Sequence, residues 1–132
     1  HTFSDMEITE GGRLYFCGPH ATFPESATSR ILTMDKDYEE FTEYVSRDQH
    51  MVYASMIGSP GLALHPDGNI FLATFYGSSV EVYSHHMGFL FSQSLEAVGD
   101  KDPLPIDLAT YRDRIYVADY ANSQIRIYSC TY

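Results

Sequence analysis

The sequence predicts an all-β chain built from repeated four-stranded antiparallel units. A turn-and-strand phrase, Pro66-Asp67-Gly68-Asn69-Ile70-Phe71-Leu72-Ala73-Thr74, recurs as Tyr111-Arg112-Asp113-Arg114-Ile115-Tyr116-Val117-Ala118-Asp119 and more loosely as Glu10-Gly11-Gly12-Arg13-Leu14-Tyr15-Phe16-Cys17-Gly18. The spacing is regular: Ile70 to Ile115 and Val80 to Ile125 are both 45 residues, and a fixed period of that order marks a repeat architecture. Aromatic residues make up 14% of the chain without a tryptophan, a profile suited to strands.

Each unit opens with a short strand: Asp5-Met6-Glu7-Ile8, then Gly61-Leu62-Ala63-Leu64, then Ile106-Asp107-Leu108-Ala109. The second strand is the recurring phrase. In its middle copy Asp67 supplies an acceptor and Gly68 tolerates positive φ, as a hairpin turn requires. The third strands are Arg30–Met34, Val80–Tyr83 and Gln124–Tyr128. Val80-Glu81-Val82-Tyr83 and Ile125-Arg126-Ile127 alternate as half-buried strands do. The fourth strands are Phe41–Val45 and Phe89–Ser92, and the third unit reaches Tyr132 where its own fourth strand would begin. Asp35–Phe41 has helical character over a turn or two, but it occupies a hairpin position, and its counterpart Ser84-His85-His86-Met87-Gly88 is a turn.

The first unit is longer than the others. Leu14 to Ile31 is 17 residues, against 10 for Ile70 to Val80 and for Ile115 to Ile125. The surplus of seven falls around Pro19–Glu25, and four more fall around Asp48–Met51. Both insertions are expected in connecting loops, with Phe23 as a hydrophobic anchor between two prolines. The whole chain, 1–132, then reads as one domain with units at about 3–46, 58–95 and 104–132, the last lacking its outer strand.

A four-stranded unit of about 40 to 45 residues is one propeller blade by size. The residues themselves resemble the NHL repeat family. Gly61-Leu62-Ala63-Leu64-His65-Pro66-Asp67-Gly68-Asn69-Ile70-Phe71-Leu72-Ala73 is similar to the family's opening, Ile115–Ile125 to its centre, and Ser84–Leu90 to its loop into the outer strand. The resemblance implies a β-propeller, typically six-bladed. Three blades cannot close a ring, since closed propellers need about four to eight. The remaining blades then come from a longer chain or from further copies.

Composition narrows the partners. Eighteen acidic residues against eight basic ones give a net charge of −10, which disfavours phosphate backbones. No apolar run approaches a transmembrane helix. Neither nucleic acid nor membrane insertion is expected. Cys17 aligns with Ala73 and Ala118, a small-residue packing position. Pairing of Cys130 with a cysteine outside this stretch would imply an oxidising, extracellular setting.

The propeller geometry implied by the resemblance sorts the loops onto two faces. His20 and His50 fall on one with Lys101 and Asn122, and His65, His85 and His86 on the other with Asp67. His20, Phe23, His50 and Asn122 are the candidate partner-binding residues. Asn122 aligns with Gly77 and is expected to accept a left-handed backbone. His65, Asp67, His85 and His86 are candidate metal ligands, because a zinc site needs three or four converging N, O or S donors; the competing reading makes them solvated turn residues. Asp119 stands where the family often carries a channel carboxylate that could hold calcium, and it equally suits a cap on the following turn. No phosphate loop, nucleophile elbow or zinc-protease helix is present. The resemblance and the absent motifs lead to a non-enzymatic interaction or scaffold module, needing no cofactor, whose partner is a protein or further blades of the same or another chain. The alternative is a calcium- or zinc-dependent propeller enzyme of the lactonase or amidating-lyase type. An RNA-binding NHL domain comes third.

Overall fold

A computed structural model describes residues 5–22, 26–35, 37, 41–51, 61–74, 78–86 and 88–129. Its eleven strands form three antiparallel sheets, and the described residues contain no helix. The first sheet runs in the order β1 (Asp5–Ile8), β2 (Leu14–Thr22), β3 (Ser26–Met34), β4 (Phe41–Met51). The second repeats it as β5 (Leu62–Leu64), β6 (Ile70–Thr74), β7 (Ser79–Tyr83), β8 (Phe89–Ser94). The third holds β9 (Pro105–Tyr111), β10 (Arg114–Asp119) and β11 (Gln124–Ser129), with β11 at its edge.

Turn chemistry sets the hairpins. His65 and Asn69 close a three-residue loop in which the Gly68 N–H bonds to the His65 carbonyl at 2.8 Å and Gly68 takes φ +95°. This is the turn followed by a left-handed residue that such loops favour. Thr9 and Arg13 close the same loop, with Gly12 at φ +88°. The third copy differs. Tyr111 pairs directly with Arg114 across two residues, and Arg112 carries the positive φ of 57°. A register shift between Ala118 and Asp119 follows in that sheet.

The sheets pack face to face, and their opening strands lie side by side. β1 touches β5, and β9 touches both β5 and β6. The Leu62 N–H donates to Asp5 Oδ2 at 3.1 Å, and Thr110 Oγ1 donates to the Leu64 carbonyl at 2.6 Å. A Cβ on Gly61 would lie 2.9 Å from Asp107 Cα, so the approach of β5 to β9 requires glycine there.

The middle sheet is covered on both sides, which is why Ile70–Thr74 and Ser79–Tyr83 are buried at every position. Leu62, Ile70, Leu72 and Tyr83 pack with Tyr15, Cys17 and Ile31 of the first sheet. On the other face Phe71, Ala73, Val80 and Val82 pack with Leu108, Ile115 and Val117 of the third. Ile70-Phe71-Leu72-Ala73 is the continuous apolar run that burial on both faces demands. The half-buried alternation expected of Val80–Tyr83 is overturned: Glu81 is buried as well, and its carboxylate accepts the Tyr83 hydroxyl at 2.7 Å. Each fully buried Val, Leu, Ile or Phe of these strands contributes about 1.5–3 kcal/mol relative to exposure.

The insertions of the first unit are not loops. β2 and β3 remain paired out to Thr22 opposite Ser26, and β4 follows β3 to Met51 opposite Ser26. The surplus residues around Pro19 and around Asp48–Met51 therefore belong to one three-stranded arm. Pairing satisfies backbone groups that a long loop would have to expose to water.

Candidate functional site

Antiparallel pairing and the parallel course of β1, β5 and β9 give the stack two ends. At one lie the β1–β2 and β5–β6 turns with Thr110. They enclose a cleft of about 570 Å³ lined by Tyr15, Leu64, His65, Asp67, His85 and Thr110 among others. Here the structure gathers the histidines that the sequence analysis grouped. His65 Nδ1 lies 3.0 Å from Asp67 Oδ1, and the His65 ring meets Phe71 edge-on at 5.9 Å. Asp67 Oδ1 accepts the Asn69 N–H at 2.9 Å, so this carboxylate also braces its own turn. His85 and His86 stack on each other with centroids 3.9 Å apart. Among the described residues, no three His, Cys, Asp or Glu side chains are placed to share a metal ion.

Asp119 belongs to the other end and to a different chemistry. It is buried, and its Oδ2 accepts from Asn122 Nδ2 at 2.8 Å and from Arg126 Nε at 3.1 Å. Its Oδ1 accepts the N–H groups of Leu104 at 3.1 Å and Asn122 at 3.3 Å. Burial pushes the carboxyl up, but the bonds from Asn122, Leu104, Arg126 and Gln124 outweigh it and bring its pKa down from 3.8 to about 2. The turn cap anticipated for Asp119 is therefore present, extended into a buried ion pair. Arg126 carries the network further by donating Nη2 to the Glu96 carbonyl at 2.6 Å.

Of the candidate partner-binding residues, His20 belongs to β2 and His50 to β4. His20 stands opposite Thr28, and His50 stands opposite Ala27, both in the paired arm. Phe23 lies outside the described residues, as does Cys130. Asn122 is half-buried and occupied with Asp119. The left-handed position in its turn is Ser123, at φ 49°, and the counterpart 45 residues earlier is Ser78, at φ 50°.

Glu7 lies between charges. Burial, then Asp5 and Asp107, raise its pKa above the ordinary 4.5. The residues that sequence reasoning passed over are apolar and lie on the outward face of the third sheet. Val80 and Val82 are 4% and 1% exposed in the core between the second and third sheets. Their equivalents 45 residues on, Ile125 and Ile127, are 64% and 55% exposed. The opposite end of the stack behaves likewise, with Met6 58% and Ile8 62% exposed where Leu62 in the second sheet is fully buried. The period that aligned the strands contained this signal.

Neither a protein-family model nor a curated protein matches the chain.

Proposed function

We propose that this chain is a non-enzymatic scaffold and protein-interaction module, a segment of an NHL-type β-propeller whose end sheets receive further sheets. One observation carries the reading: the side chains that seal the second sheet against the third recur on the third as exposed Ile125 and Ile127. An isoleucine left in water forgoes about 1.5–3 kcal/mol of burial. A β-branched pair on a regular sheet face, in the register of an existing core, suits another sheet of the same kind. The surface charge of −10 favours solubility and gives no support to a nucleic-acid partner.

The double substitution Ile125→Lys with Ile127→Lys tests it by sedimentation velocity. The unsubstituted chain is expected to associate in the micromolar range. The variant should run as a 15.0 kDa particle with an unchanged melting temperature, because its substitutions lie on a face that the single chain does not bury. A monomeric parent together with a destabilised variant would overturn the reading.

A further inference from the structure

We draw no further inference here: the strongest candidate, the cleft of about 570 Å³ between the β1–β2 and β5–β6 turns, belongs to the site already described, where His65 and Asp67 are engaged with each other and with their own turn.

Discussion

Asp119 shows how one side chain can join stretches that are distant in sequence. It holds the Leu104 backbone, the Asn122 turn and the Arg126 guanidinium together while almost excluded from solvent. Replacing it by alanine strands a largely buried Arg126, which costs about 3–5 kcal/mol, and denaturant unfolding measures that loss. Its depressed pKa fixes a pH dependence. The unfolded carboxyl titrates near 3.8 and the folded one at about 2, so its contribution is complete above about pH 4 and disappears as pH falls through 2. The contribution is about 2 kcal/mol, and Asp119→Asn should flatten the stability curve across that window. Glu7 has the opposite sign. Its carboxyl is raised by burial and by Asp5 and Asp107, so its charge opposes folding at neutral pH. Glu7→Gln should raise the melting temperature at pH 7, and the gain should shrink as pH falls toward 4.5. At this scale Gly68 and the cap on Asp119 were legible from local rules. The Arg126 bonds were not, because the Glu96 carbonyl lies 30 residues away and no motif encodes that approach.

At the scale of elements, a strand is observed at each position anticipated from period and alternation, because the hydrophobic pattern recurs at fixed spacing between turn-forming stretches. Length was misjudged in the first unit. Gly18 and Pro19 suggest a loop, yet both lie in β2. Among the described residues β1 pairs with β2 as far as Cys17, and Pro19 lies beyond that point, opposite Ser29 of β3. The arm's pairing with β4 depends on tertiary register, which propensity does not record. The third hairpin changed its turn as well, moving the positive φ to Arg112 where the repeat places no glycine. The tightest contact between elements is open to test. Gly61→Ala would put a methyl 2.9 Å from the Asp107 backbone, forcing β5 and β9 apart at a cost of about 1–3 kcal/mol. Thermal unfolding checks it, and the effect should exceed that of Gly11→Ala, whose new methyl would have its nearest neighbour at 3.9 Å.

For the whole molecule, the repeat explains both what is buried and what is left exposed. Two interfaces between sheets use equivalent positions, and the next set of those positions faces outward as Ile125 and Ile127. Composition could not announce this, because exposure depends on which sheets are present. The candidate histidines were legible as a group, and the structure brings His65, Asp67 and His85 around one cleft. The turn role of Asp67 was legible as well, from its acceptor beside Gly68, whereas the stacking of the His85 and His86 rings on each other was not. The central claim is that the sheets continue face to face into a larger assembly, and native mass spectrometry of the purified protein tests it most directly. The account predicts either a single chain several times heavier than 15.0 kDa or an oligomer whose mass is a multiple of 15.0 kDa. A stable 15.0 kDa monomer at micromolar concentration would contradict it.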